Sequence, residues 1–192
     1  MSGARPGGRA AGEPRPPPDA EQAFEIAGRF LGTRPRSRWE VEERLRRAGA
    51  AETVVDATLK RLARIGLVDD VAFARWWVEQ RDRHAPRGRM ALETELRAKR
   101  VPAAVIETLR GATAGEAALA EQERAEAALE GHLRGRPMPD DPRAMQRLGM
   151  YLVRRGFDPA TARAVLRAAG AAAESTRPGS TAGGGRSRDP GA

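Results

Sequence analysis

Leu45-Arg46-Arg47-Ala48-Gly49-Ala50-Ala51-Glu52-Thr53-Val54-Val55-Asp56-Ala57-Thr58-Leu59 decides the fold. Leu45 is followed five residues on by Ala50, then by Val54, Val55 and Leu59, with Gly49 as the break between two short helices. The pattern returns at Leu96, with Val101, Val105, Ile106 and Leu109, and again at Leu152, with Phe157, Ala162, Val165 and Leu166. Val41, Leu92 and Leu148 each stand four residues before their Leu. The three Leu anchors are 51 and 56 residues apart. A period near 50 with helical punctuation predicts a stacked array, in which neighbouring units cover apolar faces that none can bury alone. Such arrays usually make binding surfaces, which tilts the expectation away from catalysis.

The rest of the chain fits around this plan. Asp19 and Gln22 can cap a first helix with apolar positions Ala23, Ile26, Ala27, Phe30 and Leu31. Ser37 and Glu40 form a capping box for the helix through Val41, Leu45 and Ala48. A helix through Val54, Val55, Leu59 and Leu62 ends near Gly66. Asp69 or Asp70 caps a helix through Phe73, Trp77 and Val78. A helix from about Arg89 to Lys99 follows, then one opened by Pro102 and closed by Gly111. Thr113 and Glu116 suggest another capping box, for a longer helix through Leu119, Leu129 and Leu133. Asp141-Pro142 and Asp158-Pro159 start the last two helices, separated by Gly156. The expected fold is all-α: three tandem three-helix repeats in an elongated, curved arrangement. The expected limits are 19–67, 68–112 and 113–170, between disordered tails at 1–18 and 171–192, which are too poor in large apolar residues to fold.

Composition narrows the function. No apolar run reaches the roughly 20 residues of a membrane span. The Pro- and Gly-rich start lacks the apolar stretch of a signal peptide and the amphipathic helix of a transit peptide. There is no Cys, hence no disulfide framework and no thiol chemistry. A soluble cytoplasmic protein is expected. The net charge of +8 and a pI near 11.2 point to an anionic partner, nucleic acid first. Of the 34 basic residues only Lys60 and Lys99 are lysine. With so much Ala and Gly, a GC-rich coding sequence explains part of that arginine count equally well.

The motifs of common catalytic sites are missing. His84 and His132 are 48 residues apart with no acidic ligand at metal spacing, and both read as surface residues. Gly183-Gly184-Gly185 follows no strand, so it is no nucleotide loop. Asp69-Asp70 and Asp140-Asp141 sit where helices begin, and capping explains them more simply than a cation does. Neither an enzyme, a cofactor, a metal nor a small-molecule substrate is expected.

The junction of the first two units reads Gly66-Leu67-Val68-Asp69-Asp70-Val71-Ala72-Phe73-Ala74-Arg75-Trp76. It resembles the RecX family of bacterial recombination regulators. Arg34-Pro35-Arg36-Ser37 with Glu40 and Leu45, Arg87-Gly88 with Glu95-Leu96-Arg97, and Arg155-Gly156-Phe157-Asp158 with Ala162 and Val165 resemble that family's three units in turn. The likeness covers about residues 20–169. Two features depart from it. Arg100 stands where the family usually has Gly, in a turn that calls for a left-handed residue. The helix with Glu116, Glu121, Glu123, Glu126 and Glu130 is unusually acidic, with Arg124 its one base.

The resemblance implies a non-enzymatic protein, expected as a monomer. It would bind the RecA filament on DNA, in its groove or at its growing end, inhibit ATP hydrolysis and strand exchange, and favour disassembly. Its field would be regulation of recombination, DNA repair and the SOS response.

Within the junction, Gly66, Leu67, Asp69, Asp70, Phe73 and Ala74 read mainly as structural. The candidate contacts to RecA or single-stranded DNA are Arg75, Arg81, Arg83, Arg87, Arg89, Arg97, Lys99 and Arg100. Residues 75–100 hold eight bases against four acids, and the arginine fork suits phosphate and carboxylate. A solvated helix face with pairs such as Arg75 to Glu79 is the plainer reading of the same residues. In the other basic stretch, 29–47, Arg38, Glu42, Glu43, Arg46 and Arg47 can pair among themselves. Trp77, four residues after Phe73, is expected in the core and Trp76 at its edge. Two alternatives stay open. One is a direct DNA-binding protein using helix-turn-helix-like units; the other is a protein-interaction scaffold whose arginines reflect coding bias.

Overall fold

A computed structural model describes residues 16–109 and 114–176. Residues 1–15 and 177–192 of the expected tails at 1–18 and 171–192, the expected helix end at Gly111 and the expected cap at Thr113 lie outside these residues. Among the described residues there are nine helices and no strand. They are α1 Ala20–Leu31, α2 Arg38–Arg47, α3 Glu52–Arg64, α4 Asp70–His84, α5 Arg89–Ala98, α6 Ala103–Thr108, α7 Ala114–Leu133, α8 Pro142–Arg154 and α9 Pro159–Thr176. None of them is long and apolar enough to cross a membrane.

The helices begin where side chains can take their orphan N–H groups. Asp19 with Gln22 and Ser37 with Glu40 form complete capping boxes on α1 and α2. Asp69, rather than Asp70, caps α4, accepting the Val71 and Ala72 N–H groups at 2.8 and 3.2 Å. Asp141 caps α8 with Pro142 in its first turn. The last helix runs to Thr176, past the point where the sequence suggests a tail. Its alanine-rich end has high helix propensity despite its low apolar bulk.

Three packed clusters form the cores. The first joins Ala23, Ala27, Val41, Leu45, Val55, Leu59 and Leu62 from α1–α3. The second joins Phe73, Ala74, Leu96, Val101 and Ile106 from α4–α6. The third joins Ala125, Ala128, Leu129, Leu148, Leu152, Phe157, Val165 and Leu166 from α7–α9. The recurring five-residue spacing has a direct cause. Ala50, Val101 and Phe157 donate their N–H to the carbonyls of Leu45, Leu96 and Leu152 at 3.2, 3.1 and 3.3 Å. These are Schellman ends, which also bring the two side chains of each pair together. The residue between them must be left-handed, and φ is +83° at Gly49, +56° at Arg100 and +85° at Gly156. Arg100 therefore holds a conformation that glycine adopts without steric cost.

Helix α7 departs from the expected pattern. Leu119 is 63% exposed, while Glu121, Ala125, Ala128 and Leu129 are buried. Positions 121, 125, 128 and 129 share one helical stripe, and Leu119 falls off it. The small alanines on that stripe hide the signal that bulky residues usually give.

The chain divides into two compact units. One holds residues up to Ala85 with Leu92–Ala117; the other holds Pro86–Ala91 with residues from Ala118 onward. In the second unit the backbone of 86–91 lies directly on that of 155–157. Gly88 N–H donates to the Arg155 carbonyl at 3.0 Å, and Met90 N–H to the Gly156 carbonyl at 3.2 Å. The Arg155 guanidinium reaches the Pro86 carbonyl at 3.0 Å. The buried Glu121 carboxylate takes the Arg89 N–H at 2.9 and 3.1 Å and the Asp158 N–H as well, at the starts of α5 and α9. Burial pushes its pKa up, against those hydrogen bonds.

Candidate functional site

In the first unit the N-terminus of α2 gathers groups from distant parts of the chain. Ser37 is fully buried. Its hydroxyl accepts the Glu40 N–H and donates to the Lys99 carbonyl at 2.9 Å. Asp70 reaches back to accept the Arg38 N–H at 2.8 Å, and burial raises its pKa. Glu40 receives Arg34 at 2.9 Å and the Lys99 ammonium at 2.8 Å. Burial alone would raise the Glu40 pKa, but the hydrogen bonds from Lys99, Arg34 and Ser37 N–H together bring it below its ordinary value.

Beside this joint stand Trp76 and Trp77, both half-buried. The Trp77 indole N–H donates to Glu95 at 2.8 Å, and Arg81 pairs with the same carboxylate oxygen at 2.8 Å. The Arg81 guanidinium lies 4.8 Å from the Trp77 ring centre and the Lys99 ammonium 5.3 Å. Arg34 lies 5.8 Å from the Trp76 ring. Three cations, two carboxylates and two indoles thus form one ridge. Cation–π contact and ion pairing hold it in shape. Such a ridge presents a stiff polar and aromatic surface, suited to binding.

Of the eight candidate bases, six belong to the first unit and Arg87 and Arg89 to the second. Arg81 and Lys99 come together on the ridge, with Glu95 and Glu40 as their partners. Arg97 pairs with Glu93 at 2.7 Å. Arg83 takes Glu79, the carboxylate that the sequence offers equally to Arg75. Arg75 and Arg100 are exposed. Around 29–47 the expected internal pairing is present for two of the three arginines: Arg46 meets Glu42 at 2.6 Å, and Arg47 meets Glu43 at 3.6 Å.

In the junction segment, Gly66 has φ +72°, Asp69 caps α4, and Phe73 and Ala74 are buried. Leu67 is half exposed instead, together with Ile65. His84 is exposed, but His132 is half-buried and stacks on Tyr151 at 4.0 Å. Among the described residues no group of three His, Cys, Asp or Glu could hold a metal ion. The contacts of Ser37 and Glu40 with Lys99 span about 60 positions, beyond the reach of any local pattern. Glu40 gave only the signal of a capping box.

Comparison with known proteins bears on the same region. Residues 23–62 match the family model described as RecX, first three-helix domain, and residues 69–109 match RecX, second three-helix domain. The chain is 40% identical over 150 residues to the Regulatory protein RecX of Mycobacterium avium (strain 104), covering 74% of this chain and 84% of that one. It is 42% identical over 149 residues to that of Mycobacterium marinum (strain ATCC BAA-535 / M), with the same coverage. In fold it is similar to the crystal structure of RecX from Lactobacillus salivarius. The TM-score is 0.67 at 17% identity, covering 80% of this chain and 97% of that one.

Proposed function

Because the chain belongs to the RecX family of regulatory proteins, we propose that it binds the RecA filament on DNA and inhibits ATP hydrolysis and strand exchange. Family membership over 150 residues is the observation that carries this reading. The arrangement of the first unit supports it. The ridge of Arg81, Trp77, Lys99 and Glu40 is braced by ion pairs at 2.8 Å, so it can press against a partner without first ordering its side chains. Arg75 and Arg100 add exposed charge in the same unit. The chain acts by occupancy: a rigid helical surface lodged against successive RecA protomers blocks the motion that hydrolysis requires. No bond is made or broken by this chain.

The test is cosedimentation with RecA filaments assembled on single-stranded DNA and held by a non-hydrolysable nucleotide. The chain pellets with filaments and stays in solution with RecA lacking DNA. Equal recovery with and without filaments would refute the reading.

A further inference from the structure

Most of the candidate arginines on α4 and α5 meet a carboxylate at close range; on α8 only Arg147 has one, at 3.8 Å. Helix α8 carries Arg143, Arg147 and Arg154 and has no acidic residue along its length. Spacings of four and seven put the three on one stripe, with Met150 and Tyr151 between Arg147 and Arg154. Arg143 and Arg154 are exposed. Arg147 is 72% exposed, with Asp141 at 3.8 Å and itself open to solvent, a pairing that contributes little. The opposite sign lies on α7, where Glu123, Glu126 and Glu130 are exposed.

Beside the stripe runs an open groove of roughly 680 Å³. Arg136, Arg147 and Arg154 line it together with His132, Met150 and Tyr151. His132 and Tyr151 are already stacked, 4.0 Å between ring centres, and Met150 is half exposed. Exposed arginines with at most one weak acidic partner, repeating along a helix, suit a chain of phosphates. An aromatic and apolar groove within reach of them suits an unstacked base. A duplex keeps its bases stacked inside. A purely acidic peptide would satisfy the arginines without using the groove.

We propose that the α8 face and its groove bind single-stranded nucleic acid, arginines on the phosphates and a base in the groove beside the His132–Tyr151 pair. This contact is to the strand itself and is independent of binding to the RecA protein.

The experiment measures binding of the full chain to a short labelled oligo(dT), and to a duplex of equal length, by fluorescence anisotropy across a salt series. The R143E/R147E/R154E variant is checked for folding by circular dichroism. We expect the wild type to prefer oligo(dT). The variant should lose at least about tenfold in affinity, and its log–log salt slope should become shallower by about two. His132→Ala should narrow the preference for oligo(dT) over duplex and leave the slope unchanged. Equal wild-type binding to duplex, or a folded triple variant with unchanged affinity and slope, would overturn the proposal. So would a triple variant that binds oligo(dT) normally and no longer inhibits RecA, because the face then takes protein. If the wild type fails to inhibit RecA but its oligo(dT) binding depends on α8, this proposal stands and the filament reading falls.

Discussion

The Ser37 hydroxyl donates a 2.9 Å hydrogen bond to the Lys99 carbonyl, 62 residues away, while its oxygen accepts the Glu40 N–H at 3.2 Å. One buried hydroxyl thus ends one helix and starts another. Ser37→Ala removes both bonds and leaves a carbonyl without its partner. The expected loss is about 2 kcal/mol, more than the roughly 1 kcal/mol of an ordinary cap. Urea unfolding measures it. A loss no larger than that of Asp19→Ala, which removes a solvent-exposed cap on α1, would mean that the Lys99 bond adds nothing.

Glu40 gives the first unit an acid-sensitive joint. Its folded pKa lies below its ordinary value, so its stabilising contribution is complete above that value, about 4.3. It is lost as the pH falls through the lower folded value. Asp70 and Glu121, raised by burial, act with the opposite sign: their contribution is complete at low pH and lost as the pH rises through their folded values. Glu40→Gln should therefore be less stable than the wild type at neutral pH, and the gap should close below pH 4. Unfolding free energies across a pH series test this; a gap that stays constant would contradict it.

Arg100→Gly should raise stability by about 1 kcal/mol. The residue sits at φ +56°, where a side chain costs about 1–2 kcal/mol, offset in part by the added chain entropy of glycine. Thermal melting of the variant reads the change. A lower melting temperature would show that the Arg100 side chain makes a contact worth more than its strain.

Gly49 and Gly156 share the left-handed conformation and differ in their surroundings. A Cβ at Gly49 would meet nothing within 4 Å, whereas one at Gly156 would lie 2.5 Å from Ala91. Gly49→Ala should cost about 1–2 kcal/mol from backbone strain alone. Gly156→Ala should cost about 1–3 kcal/mol more through overpacking. Gly88→Ala, whose Cβ would lie 2.2 Å from the Gly156 backbone, should be comparably damaging at an ordinary φ. Equal losses at 49 and 156 would show that residues 86–91 lift away easily.

Charge reversal must respect the internal pairs. Lys99 is one of the eight candidate bases, but Lys99→Glu would face Glu40 across the 2.8 Å pair and damage the joint itself. Arg75 and Arg100 are exposed on the same unit. R75E/R100E should remain folded and need several-fold more protein to inhibit RecA. Unchanged inhibition by this variant would remove these two residues from the interface.

The helices were legible because each signal is local. Capping boxes at Asp19 and Ser37, prolines at 142 and 159 and the Leu-to-apolar spacing of the Schellman ends all act within one or two turns. Arg100 was legible as a strained turn for the same reason. The pairing of charges was not. Glu79 lies four residues from both Arg75 and Arg83, and only the fold selects Arg83. Lys99 looked like free charge because its carboxylate is 59 residues away. Helix α7 misled ahead of Leu129 because the buried positions there are Glu121, Ala125 and Ala128, while the bulky Leu119 faces solvent; Leu129 is buried as expected.

The most direct measurement is ATP hydrolysis by preformed RecA–single-stranded DNA filaments while the chain is titrated in, with bare-DNA binding followed in the same buffer. Filament regulation predicts inhibition at concentrations too low to coat the DNA. Inhibition that appears only where bare DNA is already saturated, or no inhibition at all, would contradict it.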